Sequence, residues 1–327
     1  MAAQSATSIP GSESMLGPLR QQIREVITTR VTAAIRDDLL NLLRRPGFAL
    51  HPEGTCRAGG LALEVHEAVT WKPAGRTAVL AATAVELQME ASYLFDEVAD
   101  SAPDGKRSED LALATALHAA GAAAAMEAAA DSSAPSVALD HFCRAYTESS
   151  AGQFLDAMLQ NRGGATLEEA LQATCLKSGG LGRFVTGFAA RVAGADEEGL
   201  ALFERLGYHT FTLAQLVDDL RDACAPGETS DLAHRKATLA VVFYGQGVDS
   251  LVPPDGMLTA EVCKLYESSG AQLYVGILAY AYMKRAEEDL LLLARHGYAV
   301  GGLVRLLESV DSGAGETLSA ARSSLVS

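Results

Sequence analysis

Apolar residues recur at intervals of three and four along nearly the whole chain, and no stretch alternates convincingly with period two. That pattern predicts helices throughout. Between Leu19 and Leu43, the positions Ile23, Val26, Ile27, Val31, Ile35 and Leu39 mark one amphipathic helix, stopped by Arg44-Arg45-Pro46-Gly47. Helix restarts over Leu61–Val69 and breaks again at Trp71–Gly75. A long helix is predicted over Arg76–Asp100, followed by an Ala-rich one over Leu111–Ala130. Pro135 suits a first helical turn and opens a helix running toward Asn161. Thr166, with Glu169 three residues later, reads as a capping box for a helix that reaches Ala193. Asp196-Glu197-Glu198 opens another, ending at Asp222. Asp231–Tyr244, Met257–His296 and Ala299–Val326 carry the remaining helical pattern. Residues 1–17, rich in Ser, Ala, Gly and Pro, predict a disordered tail. Residues 18–327 predict an all-α single domain, a bundle of roughly ten or more helices around a central cavity.

Composition narrows the picture. Hydrophobic residues make up 49% of the 327, enough for a sizeable core. The formal charge of −15 argues against nucleic acid or an anionic membrane as partner. The five cysteines are widely spaced without a CxxC, as expected of free thiols in a reducing compartment. The first fifteen residues lack the apolar run of a signal peptide. Leu111–Ala130 is the one membrane-like run, but it is Ala-dominated and interrupted by His118 and Glu127, which suits a buried helix. The expectation is a cytoplasmic protein without stable membrane insertion.

Two acid clusters carry the chemistry. Asp96 and Asp100 close one long helix; Asp218, Asp219 and Asp222 close another. A spacing of four places Asp96 with Asp100, and Asp218 with Asp222, on one helix face. Like charges so placed repel, so each cluster is either a solvated helix end or a site where a cation relieves the repulsion. Hard cations such as Mg²⁺ take carboxylate oxygens and bridge to phosphates, so two facing clusters suggest a site that grips a diphosphate.

The order of these motifs resembles the trans-isoprenyl diphosphate synthases, the polyprenyl synthetase family. Ala91 to Asp100 is similar to that family's first aspartate-rich helix, and Gln215 to Asp222 to its second. Gly152-Gln153-Phe154-Leu155-Asp156 resembles its GQxxD element, Lys177-Ser178 its Lys-Thr pair, and Asp231 to Leu239 the segment whose lysine reaches the diphosphate. The resemblance implies a cluster of about three Mg²⁺ ions held by Asp96, Asp100 and Asp218, with Asp219 and Asp222 assisting. It implies Lys177 and Lys236 on the diphosphate of a prenyl substrate and Gln153 and Gln215 in support. It places Ala91, Ser92 and Phe95 at the hydrocarbon tunnel, and it implies a homodimer. Lys106 and Arg107 fall close to the family's Arg pair, or are solvated loop charges. His209 and His234 have no metal-ligand spacing.

The departures are as informative. Where the family has a Gly-Gly-Lys-Arg-x-Arg-Pro loop for isopentenyl diphosphate, this chain has Glu53 to Gly59, with Thr55 for the lysine, no proline and Arg57 the one basic residue that remains. Met89 stands where the family has a histidine. Each lost charge-assisted contact is worth about 1.5–3 kcal/mol. The ionising half thus looks complete and the acceptor half eroded. The expectation is a class I terpene cyclase acting on a C15 to C25 prenyl diphosphate, C20 foremost because Ala91 and Ser92 are small. Tyr93, Phe95, Phe154, Phe184, Phe188, Tyr208 and Phe211 would be its candidate cavity lining. The alternatives are a chain-elongating synthase, a transferase with another acceptor and, last, a non-catalytic partner subunit.

Overall fold

The computed structural model describes residues 13–52, 54, 56–100, 106–224, 230–232, 236–245 and 260–313. Among them there is no strand. The described residues form thirteen α-helices: α1 Glu13–Arg30, α2 Ala33–Leu43, α3 Arg57–Thr70, α4 Arg76–Asp100, α5 Lys106–Ala130, α6 Pro135–Arg162, α7 Leu167–Thr174, α8 Gly180–Ala193, α9 Glu197–Asp222, α10 Leu239–Gly245, α11 Ala260–Ser268, α12 Ala271–His296 and α13 Gly301–Gly313. Between α7 and α8 the helix continues through a π-turn, Cys175–Gly179.

Most boundaries follow from local chemistry. Thr166 and Glu169 form the expected reciprocal box at α7. The Asp196 carboxylate accepts the Gly199 N–H and caps α9. The expected helix over 19–43 is two helices. It breaks in the β-branched run Thr28 to Thr32, where the Thr28 and Thr29 hydroxyls donate back to the Arg24 and Glu25 carbonyls. α1 begins at Glu13, inside the segment expected to be irregular; residues 1–12 lie outside those described. Asp231-Leu232 is a turn rather than helix, because its N–H groups pair with the Asp222 and Ala223 carbonyls across the loop. Gly270, at φ +85°, separates α11 from α12.

α4 lies along α5, and α9 along both α8 and α12. These contacts are tight because small residues meet backbone. A Cβ on Gly121 would lie 3.1 Å from the Ala84 carbonyl oxygen, and Gly182 and Gly207 approach each other backbone to backbone across α8 and α9. α5 is the one helix among those described that is long and apolar enough to cross a membrane by composition, and its Ala114, Leu117, Ala120, Ala124 and Ala128 are buried. One continuous apolar core runs from Leu19 to Leu307. Phe184 and Phe188 belong to it, edge-on to Phe142, and are not cavity lining; Phe154 is exposed to solvent instead.

Candidate active site

The acid ends of α4 and α9 meet around the π-turn. Its Gly180 N–H reaches the Cys175 carbonyl, five residues back. The widened turn projects two consecutive side chains in different directions. Lys177 Nζ lies 3.2 Å from Asp96 of α4 and 3.0 Å from Asp156 of α6. Ser178 donates to Gln215 Oε1 at 2.9 Å, and the Gln215 amide donates to Asp219 at 2.8 Å. The π-turn thus reaches one acid cluster through Lys177 and the other through Ser178. It is held from behind by α6: Ser149 Oγ donates to the Lys177 carbonyl at 3.0 Å. Gly152 comes so close that a Cβ there would sit 2.1 Å from the Lys177 nitrogen.

The electrostatics are those of carboxylates gathered with too little positive charge. Burial pushes the Asp219 carboxyl up to about 8, helped by the charges of Asp231, Asp218 and Asp156. Asp218 is raised by burial and by Asp222, and Asp222 is raised by burial. Burial alone would lower the Lys177 ammonium, but Asp96 and Asp156 outweigh it and hold it above the ordinary lysine value. Lys236 pairs with buried Asp231 at 3.4 Å and its charge reaches Asp222.

The donor set suits a hard cation, being all carboxylate. Among the described residues no three carboxylate, imidazole or thiol groups could hold an ion by themselves. Mg²⁺ is commonly held by one or two carboxylates with phosphate oxygens completing the shell. Asp96 from one cluster and Asp218 from the other would supply such carboxylates, with Asp219 and Asp222 assisting. The Asp100 side chain lies outside the described residues, as do those of Lys106 and Arg107 at the start of α5. Gln153 is half-buried on α6; Phe95 is half-buried and packs on the core. Ala91 is fully buried, and Ser92 bonds Tyr146 at 3.2 Å. His209 is structural, bonding fully buried Asp289 at 2.6 Å; His234 lies outside the described residues.

Two contributors were not among the expected site residues. Asp156 and Asp231 both sit inside the motifs, yet the expectation assigned those segments' roles to Gln153 and Lys236. The signal that could have found them is their place inside the two motifs, at the last position of the GQxxD element and at the head of the Asp231 to Leu239 segment. A third feature lies on α4 toward α3. Glu86 and Glu90 are buried, accepting the Gly59 and Ala49 N–H groups at 2.6 Å each. Burial pushes Glu86 up to about 7 and, with Glu86 beside it, Glu90 well above the usual carboxylate range.

The polyprenyl synthetase family model matches residues 51–250. The chain belongs to the polyprenyl synthetase family. A geranylgeranyl diphosphate synthase of Mycobacterium tuberculosis is 37% identical over 97 residues, 28% of each protein. A geranylfarnesyl diphosphate synthase of Natronomonas pharaonis is 28% identical over 210 residues, 58% of this chain and 62% of that one. The matched stretches therefore span less than two thirds of either relative. A decaprenyl diphosphate synthase from Rhodobacter capsulatus superposes with a TM-score of 0.76 at 17% identity, covering 94% of this chain and 97% of the other. A polyprenyl synthetase from Streptomyces coelicolor A3(2) does so at 0.75 and 20%, covering 92% and 98%. These likenesses establish the all-α fold of the family.

The unneutralised carboxylates make the site sensitive to pH. Asp219 takes up a proton on folding, since its folded value of about 8 lies above the ordinary 3.8. Its contribution to stability is complete below about 4 and is lost as pH rises toward about 8. In EDTA, melting temperature is therefore expected to fall across that window; Mg²⁺ should raise it more at pH 8 than at pH 5.5, where protons compete. Thermal melts at both pH values, with and without Mg²⁺, check this. An equal shift at both would mean the cation binds elsewhere.

Proposed function

We propose that this enzyme ionises an allylic prenyl diphosphate and that its principal reaction is chain elongation with isopentenyl diphosphate. The observation that carries the first half is the π-turn reaching both acid clusters, which sets Lys177 and the carboxylates of α4 and α9 around one mouth. The comparisons support the second half and reverse the order of the two readings drawn from sequence: the named relatives are diphosphate synthases, not cyclases.

The chain's own groups have definable tasks. Asp96 and Asp218 would hold Mg²⁺, whose positive charge would favour the diphosphate as leaving group. Lys177 turns from its two aspartates toward diphosphate oxygens, exchanging one pair of anionic partners for another, so an anion faces its ammonium throughout. Lys236 does the same from the side of Asp231. Preorganised cations of this kind favour the leaving group as charge develops on it. The Ser178–Gln215–Asp219 relay orients the Asp219 carboxylate.

A specific observation favours cyclisation as the second reading. Ala58 and Met89 are buried and uncharged, and acidic Glu86 and Glu90 lie beside them, where the resemblance would place cations for a second diphosphate. Arg57, whose charge reaches Asp218, and Arg20, which donates to the Ala49 and Gly54 carbonyls, are cations that remain near them. Pure enzyme with Mg²⁺, C10 or C15 diphosphate and labelled isopentenyl diphosphate is expected to give a longer linear diphosphate carrying the label. Hydrocarbon or terpene alcohol with no incorporation would instead establish the cyclase.

A further inference from the structure

We infer that the cavity between the first half of α9 and the end of α12 binds a small organic phosphate, with the phosphate on Arg205 and Arg295 and a short apolar body on the floor beneath them. The cavity holds about 450 Å³. Ala201, Leu202 and Arg205 line it from α9, and Leu292 and Arg295 from α12. Ala201 and Arg205 are four apart and share one helix face. At 1.5 Å per residue, Arg205 lies about 20 Å along α9 from Asp218, so the cavity is separate from the acid mouth.

The acids around this cavity are already engaged. Asp289 is fully buried between Arg205 and His209, 2.6 Å from each. Asp196 accepts from the His296 ring, the Tyr298 hydroxyl and the Gly199 N–H. Glu198, at the rim, is 79% exposed and 3.9 Å from His296, where water screens its charge. The arginines are matched less fully. Asp289 Oδ1 has no aligned hydrogen bond even though the Arg205 guanidinium is 2.6 Å away. Arg205 therefore keeps N–H donors for a further acceptor, and its side chain is half-exposed at the cavity. Among the described residues, the exposed Arg295 side chain has neither an ion pair nor a hydrogen bond. Two guanidinium groups suit a phosphate monoester, whose terminal oxygens accept in the fork geometry of arginine. The floor defines the rest of the ligand. Leu202 and Leu292 pack on the core and, with Ala201, present a fixed apolar surface that a bare inorganic ion would leave wet.

The test titrates hexyl phosphate calorimetrically into the full-length protein, in EDTA at low ionic strength. One site per chain is expected, holding the ester at least ~10-fold more tightly than inorganic phosphate because the hexyl chain leaves water. Arg295→Gln should weaken binding by at least ~10-fold, the scale of one charge-assisted contact. Ala201→Phe, which fills the floor without touching a charge, should weaken it as much. Both positions are exposed, so both variants should keep wild-type turnover and melting temperature. Lys177→Ala should bind hexyl phosphate as wild type does, because the acid mouth takes no part. Loss of binding in Lys177→Ala with retention in Arg295→Gln would place the ester at the diphosphate site and overturn the inference. No measurable binding would overturn it too, as would inorganic phosphate held as tightly as the ester, or either cavity variant binding like wild type.

Discussion

Asp218→Asn is expected to cut turnover by at least ~100-fold, which is a few kcal/mol of barrier, and Asp96→Asn to do the same. Both side chains are partly exposed at the acid ends of α9 and α4, so neither substitution should unfold the protein. The effect comes from charge. Asparagine keeps the shape but removes a carboxylate from a set whose shared repulsion is what a divalent cation relieves. Asp96→Asn carries a second consequence: Lys177 would lose one of its two anionic partners and lean toward Asp156. The double variant should lose less than the product of the two, because both act on the same leaving group. Steady-state release of diphosphate, beside melting curves, decides the matter. Activity within a factor of a few of wild type in either folded variant would remove that carboxylate from the site.

Gly152→Ala should be nearly as damaging, with no charge altered. The added methyl would lie 2.1 Å from the Lys177 nitrogen and 2.4 Å from the Leu176 carbonyl carbon. Both are backbone, so the π-turn or α6 must move by about an ångström, a displacement that can cost ~100-fold when it misplaces a catalytic group. The expected signature is a fall in kcat with α-helical content preserved. Gly60→Ala is the matched control, since a Cβ there meets nothing within 4 Å; it should be neutral or slightly stabilising. If Gly152→Ala matched that control in both assays, the close approach would have no bearing on the reaction.

Sequence and structure agree wherever a single residue type dictates local geometry. Pro135, Thr166 and Asp196 open α6, α7 and α9 where expected, and Asp100 and Asp222 close α4 and α9. The acid clusters were legible because their spacing is a property of one helix each. The break between α1 and α2 was not, since apolar periodicity persists across it and the threonine hydroxyls decide it locally. The π-turn was not legible either, because a five-residue hydrogen bond leaves no mark in apolar spacing. Its chief products, the Lys177–Asp156 pair and the Ser178–Gln215 relay, join residues 21 and 37 apart. Contacts of that kind belong to the packing of α6, α8 and α9.

From Leu167 to Ala193 the backbone is one unbroken helix, and the π-turn adds a single residue to it. That residue acts as a phase shift. It lets α7 keep its own buried face while α8 presents Gly182 to α9, two requirements that a regular helix of the same length would set about 100° out of step. The vulnerability is therefore one of counting more than of chemistry. Most single substitutions between Cys175 and Gly179 leave the phase alone, whereas loss of any one residue there rotates one half of the helix against the other and takes Lys177 away from both aspartates.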